Sequence, residues 1–258
     1  MAKVFTLLAM LFAFGASSWA AEQDIPALAA ASDLKFVVEE IAAQFRASTK
    51  REVKLVFGSS GNFYRQIEQG APFQIFMSAD EDLVLKLASG GRTEDRGQLY
   101  AVGRLVLFAR HDSTFGVDAE LAGLRAAATA GRIRRFAIAN PEHAPYGRAA
   151  EDVLRKVGLW ESLRPRLVLG ENVSQAAQFA TTGSAEGGMF AYSLALSPQV
   201  SKHGTYVLVP EQLHPPLRQR MALIKGAGST ARAFYAYLQE PPGRAVFRRY
   251  GFALPDER

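Results

Sequence analysis

The sequence predicts an α/β protein of two lobes, each a mixed, mostly parallel sheet flanked by helices. Three observations carry this. Short apolar runs alternate with segments of helical periodicity, the pattern of strand–helix–strand units. Two such series lie on either side of one long apolar run, Tyr100 to Ala109 (YAVGRLVLFA). The turns that leave the strands are rich in glycine, serine and asparagine, and ligands bind at the carboxyl ends of strands in open α/β sheets. With 258 residues, 48% of them hydrophobic, the chain is long enough to bury such a core.

In chain order, Met1 to Ala20 is expected to be a cleavable export signal and not part of the fold. Lys3 gives it a positive start, VFTLLAMLFAFGA is too short to span a membrane comfortably, and Ser18 and Ala20 are the small residues a signal peptidase reads. IPALAAA then reads as a strand, weakened at Pro26. Asp33 to Ser48 has apolar residues at Leu34, Val37, Val38, Ile41 and Phe45, one face of a helix, with Ser32 placed to cap it. Val53 to Phe57 is a strand, Asn62 to Gln69 a helix stopped by Gly70, Phe73 to Ser78 a strand, and Glu81 to Ala88 a helix ended by Gly90 and Gly91. After the long strand come a strand at Phe136 to Ala139, a helix at Arg148 to Val157, a strand at Arg166 to Leu169 and a helix at Ser174 to Thr181. Gly188 to Tyr192, Tyr206 to Val209 and Arg220 to Ile224 are strands, and helices at Thr230 to Leu238 and Gly243 to Tyr250 close the chain. The expected division is 21–99 with 219–258 in one lobe and 100–218 in the other, the chain crossing twice.

Composition removes several classes of function. The chain has no cysteine, so it has neither disulfides nor thiol chemistry. Its net charge of +5 is mild, and the basic clusters GRIRRF and FRRY carry no aromatic stripe, so nucleic-acid binding is not expected. His111, His143, His203 and His214 show no metal-ligand spacing. In FGSSGNF, Gly61 directly follows Ser60, which fails the G-x-S-x-G spacing of a hydrolase elbow, and no phosphate loop with lysine exists. Glu39, Glu40, Asp80, Glu81 and Asp82 read as helix-surface or first-turn residues, and no acid–base pair stands out.

Four turns do carry a chemistry in common. A helix N-terminus presents unpaired N–H groups and the positive end of the dipole, serine adds a hydroxyl, and glycine lets an anion approach the backbone. AAASD has Ser32, FGSSGNF has Ser59 and Ser60, NPEHAPYGR has Tyr146, and GENVSQ opens a helix at Asn172, Val173 and Ser174. Each alone is a weak signal, since a serine at such a place is as well an ordinary cap.

Together, AAASDLKFVVEEIAAQF, FGSSGNFYRQIEQGAPFQIFMSAD and ANPEHAPYGRAAEDVLRKVGLW resemble the molybdate-binding proteins of bacterial ABC importers, and the resemblance runs to the closing FYAYLQEPPGRAVFRRYGF. It implies a two-lobed periplasmic binding protein of type II, not an enzyme and with no cofactor. A tetrahedral oxyanion, molybdate or tungstate, would lie in the cleft, and a membrane permease would be the partner of an otherwise monomeric protein. The implied donors are Ser32 and Ser60 from one lobe and Tyr146 and the N–H of Val173 from the other, with Ser59, Asp33 and Tyr192 as further candidates. One branch of the family carries a tyrosine in a later strand, where GGMFAYS here aligns Ala191 with Tyr192 beside it. Another branch uses the tyrosine of APYG, which this sequence fits. Tyr192 is therefore expected to pack.

Molybdate and tungstate are fully ionised near neutrality and only accept hydrogen bonds, so neutral donors suit them. Asp33 disturbs this, because a carboxylate in the cleft would repel a dianion and would instead accept a proton from phosphate. It is expected to turn outward in the first helical turn, where its charge favours the helix. Phosphate or sulfate binding is the alternative of the same class, and a secreted hydrolase using Ser60 the alternative of another.

Overall fold

The computed structural model describes residues 25–255, so the expected export signal lies outside the described residues. The chain runs through β1 (Ala27–Ala31), a 3₁₀ turn at Ser32–Leu34, α1 (Lys35–Thr49), β2 (Lys54–Gly58), α2 (Ser60–Glu68), β3 (Phe73–Ser78), α3 (Glu81–Ser89) and β4 (Gln98–Gly103). Then follow β5 (Leu105–Arg110), α4 (Ala122–Thr129), β6 (Phe136–Ala139), α5 (Pro145–Lys156), α6 (Trp160–Leu163), β7 (Leu167–Gly170), α7 (Val173–Thr181), β8 (Gly187–Ala191), α8 (Tyr192–Ala195), α9 (Pro198–Ser201) and β9 (Gly204–Leu208). The chain returns with β10 (Leu217–Leu223), α10 (Ser229–Tyr237) and α11 (Pro241–Arg249).

The strands form two five-stranded sheets, β2-β1-β3-β10-β4 and β7-β6-β8-β5-β9. Each has the same plan. A central strand (β1 or β6) pairs in parallel with its two neighbours, and the far side of the sheet is antiparallel. The sheets are therefore mixed, parallel on the side that faces the cleft turns.

The long strand expected at 100–109 is two strands in different sheets, broken at Arg104. Both halves are apolar, so periodicity alone could not show the break. The boundary drawn at 99/100 falls inside β4 and the one at 218/219 inside β10, and both strands belong to the first sheet. Arg104 is held on both sides of the crossing: its Nε donates to Gly251 O at 2.8 Å, and its guanidinium lies 4.7 Å from the Tyr192 ring centroid. Helix α4 was not legible, because its alanines give a weak apolar face.

β1 reads ALAAA because it is covered on both faces, as parallel strands are. Leu28 and Ala30 join the main core, while Ala29 packs with Phe63, Ile67, Phe76 and Val84 under α2 and α3. Helix α1 buries Val37, Val38, Ile41 and Phe45, the stripe its periodicity predicted. Each such side chain contributes about 1.5–3 kcal/mol. Phe45 meets Phe234 of α10 edge-on, with centroids 5.1 Å apart, which fixes the carboxyl-terminal helices to the first sheet. α1 ends where Lys50 turns left-handed at φ 60°.

Candidate functional site

The shared plan places four turns at equivalent positions: after β1 and β2 in the first lobe, after β6 and β7 in the second. They meet. One small cavity between the lobes is lined by Ser32, Asp33, Ser59, Ser60, Tyr146 and Val173, together with small neighbours such as Ala31 and Gly58. Six of the seven residues singled out in the sequence thus come together. Tyr192 does not: its ring packs 5.9 Å from that of Tyr206 and beneath Arg104.

The two central serines use their oxygens and leave their protons free. Ser60 opens α2, and its Oγ accepts from Ala79 N–H at 3.0 Å. Ser32 does not cap α1; its Oγ accepts from Ser174 N–H across the cleft at 3.2 Å, and Ser174 Oγ donates to Ser32 O at 2.8 Å. A hydroxyl whose acceptor side is occupied in this way is oriented to donate.

Backbone donors complete the set. In the first turn of α7, Ser174 N–H goes to Ser32 and Gln175 N–H to Asn172 Oδ1 at 3.1 Å, while Val173 N–H has no partner among the described residues. Ser60 N–H is likewise without one. Gly61 N–H instead donates to His143 O at 2.9 Å, stitching α2 to the opposite lobe. Around the rim, His143 Nδ1 lies 3.1 Å from Ser59 Oγ, His143 Nε2 lies 3.5 Å from Glu171, Asn62 donates to Glu171, and Arg148 pairs with Asp80.

Asp33 is not turned outward. It is 1% exposed and lines the cavity. Its Oδ2 accepts from Gln219 Nε2 at 2.6 Å, whereas its Oδ1 is buried without a partner. The 3₁₀ turn at 32–34 delays the start of α1, so this residue is inward of the helix surface that periodicity assigned to it. Burial pushes its carboxyl up to about 6, against the opposing hydrogen bond from Gln219. The Tyr146 hydroxyl is engaged here too, accepting from the same Gln219 Nε2 at 3.3 Å. Tyr100 OH donates to Gln219 Oε1 at 2.8 Å. Burial, and secondarily the charge of Asp33, holds both phenols well above their ordinary value.

Gln219 and Tyr100 escaped the sequence reading. A signal for Gln219 was present: in LRQRMAL it falls between Leu217 and Met221 on the same face of a strand, and all three are buried.

No arginine, lysine or histidine lines this cavity, and among the described residues no cluster of His, Asp and Glu could hold a metal ion. A larger open groove of about 450 Å³ borders Asp80, Arg148, Asp152 and Arg218, but its charges are mixed.

Comparison with known proteins bears on the family and the fold. The profile of a family described as bacterial extracellular solute-binding protein matches residues 27–253. The molybdate-binding protein ModA of Azotobacter vinelandii is 37% identical, covering 97% of this chain and 99% of its own, and that of Rhodobacter capsulatus is 37% identical over 87% and 86%. The solved structure of the Azotobacter vinelandii periplasmic molybdate-binding protein superposes with a TM-score of 0.80 at 29% identity, covering 89% of this chain and 99% of that one. The fold, the end-to-end match and the relatives agree: the chain belongs to the bacterial extracellular solute-binding proteins, in the company of the molybdate-binding members.

Proposed function

We propose that this protein captures molybdate or tungstate in the cavity between its lobes and delivers it to the membrane permease of an ABC importer from the periplasm. The observation that carries the reading is the donor set. Two serine hydroxyls with occupied oxygens and two unpaired N–H groups at helix starts, one helix from each lobe, converge on one enclosed space. Such a site stabilises an acceptor-only anion without a counter-charge. Only the anion's own oxygens would be touched, so no residue ligates its metal centre. Donors from both lobes also explain why binding would close the cleft.

Thermal unfolding tests this, with molybdate, tungstate, sulfate and phosphate each at one concentration and pH. A ligand at 100 times its dissociation constant stabilises by about 2.7 kcal/mol, a melting shift on the order of 5–10 °C at this size. Molybdate and tungstate should give it, and sulfate and phosphate should not. Ser60→Ala should weaken molybdate binding by about 1.5–3 kcal/mol, the value of a hydrogen bond to a charged group. A shift with phosphate or sulfate alone would refute the assignment of ligand.

The hydrolase alternative takes a new form in Ser59, His143 and Glu171. These residues bridge the two lobes at the rim, and Glu171 is mostly exposed and shared with Asn62. They are better suited to fastening the closed form than to activating a nucleophile. Ester turnover lost in Ser59→Ala would reverse that judgement.

A further inference from the structure

An anion site with a carboxylate in its wall is electrostatically inconsistent unless the carboxylate is neutral. The wall here is specific about which oxygen is at issue. Oδ2 of Asp33 is held by Gln219 at 2.6 Å, and Gln219 is itself fixed by Tyr100. Oδ1 is buried and has no partner, and Asp33 lines the cavity together with Ser32 and Ser60. Resting on the oxyanion reading above, we propose that Asp33 enters the complex as a carboxylic acid whose Oδ1–H donates to the bound oxyanion, so that capture of a fully ionised anion takes up one proton from solvent.

The step balances simply. The ionised protein, the dianion and one proton give a complex in which a new O–H bond on Asp33 faces an oxygen of the anion, and nothing is oxidised or displaced.

The surroundings favour the neutral acid. The titratable groups that face Asp33 are Tyr146 from α5 and Tyr100 from β4, and both are phenols kept neutral by burial. Gln219 from β10 is neutral, and Ser193 from α8 bonds the Asp33 carbonyl at 2.7 Å, not the carboxyl. In the helix that follows the turn, Lys35 is exposed and lies near the Phe36 ring. No cation bonds the carboxyl, so nothing but a proton is at hand to cancel its charge when a dianion arrives beside it. The free protein already holds that proton more tightly than an ordinary aspartate, and a neighbouring dianion raises the demand further.

Calorimetry with molybdate on the mature protein tests this, in two buffers of different ionisation enthalpy and at several pH values between 6 and 8.5. The heats should report close to one proton taken up at pH 8, and the dissociation constant should rise about tenfold per pH unit above the carboxyl's titration. Asp33→Asn should take up no proton, show a flat pH profile, and bind more tightly than the native protein at pH 8.5. Tight molybdate binding by the native protein with no proton uptake and no pH dependence would overturn the proposal while leaving the ligand assignment intact. A native protein that ignores molybdate at every pH but binds phosphate would overturn the ligand assignment itself, with Asp33 then accepting the proton that phosphate carries. The proton count is made on the native chain, so the test survives a variant that fails to fold.

Discussion

The two lobes solve the same problem with one topology and different atoms. In each, a central parallel strand and its edge neighbour deliver two turns to the cleft. The first lobe fills those turns with side-chain groups: Ser32, Asp33, Ser59 and Ser60. The second supplies chiefly backbone, at Val173, and a tyrosine whose hydroxyl shares Gln219 with the first lobe's aspartate. The fold alone, then, provides N–H groups at helix starts. What the side chains add is chemistry that can be tuned, and it is concentrated on one side.

The glycines that end β2 and β7 sharpen the contrast most. A Cβ on Gly170 would sit 2.5 Å from Ala176 N and 2.9 Å from Asn172 O, which are backbone atoms of the α7 start. At Gly58 the nearest atoms belong to the Phe63 ring, 2.9 Å away, and a ring can shift. Gly170→Ala should cost about 3 kcal/mol and Gly58→Ala about 1, the two ends of the usual overpacking range. Urea unfolding of the two variants measures the difference, and equal costs would show that the turns are not built to different tolerances.

Asp33 gives the next effect, on stability without ligand. Its carboxyl lies near 6 in the folded protein against 3.8 for an ordinary aspartate. The folded state therefore binds the proton more tightly than the unfolded chain, and stability falls as pH rises from about 4 to about 6 and stays lower above that. The size is about 3 kcal/mol at most, from 1.36 kcal/mol per unit. Asp33→Asn should be more stable than the native protein at pH 8 and lose that advantage towards pH 4. Parallel unfolding curves at the two pH values would contradict it.

Gly61 joins the lobes, and its variant should be the mildest. A Cβ there would lie 2.6 Å from His143 O in the opposite lobe. Gly61→Ala should hold the cleft ajar, weaken molybdate binding by about 1–3 kcal/mol, and leave unfolding without ligand unchanged. Small-angle scattering with and without molybdate would see the missing closure.

Much of this was legible, for physical reasons that differ by region. The stripe Val37, Val38, Ile41, Phe45 announced α1 because one face of that helix is wholly buried. The serines and glycines of the turns announced helix starts that need donors and room. Arg104 gave no sign, since a strand that changes sheet stays apolar on both sides of the change. Asp33 was assigned the wrong direction because helical periodicity assumes that the helix has begun, and here a 3₁₀ turn comes first. Gln219 was hidden by its polarity: it is buried to serve Asp33, a partner 186 positions away in the chain.

Arg104 grips both leaves of the molecule at the back, bonding Gly251 on one side and covering Tyr192 on the other. A clasp pinned in this way opens as a discrete event, with contacts at the pivot broken before the cleft can widen. The residence time of the captured anion is then set partly at a place that never touches it. Tuning of the dissociation rate, the usual route by which affinity changes, is open to substitutions behind the cleft as well as to those within it.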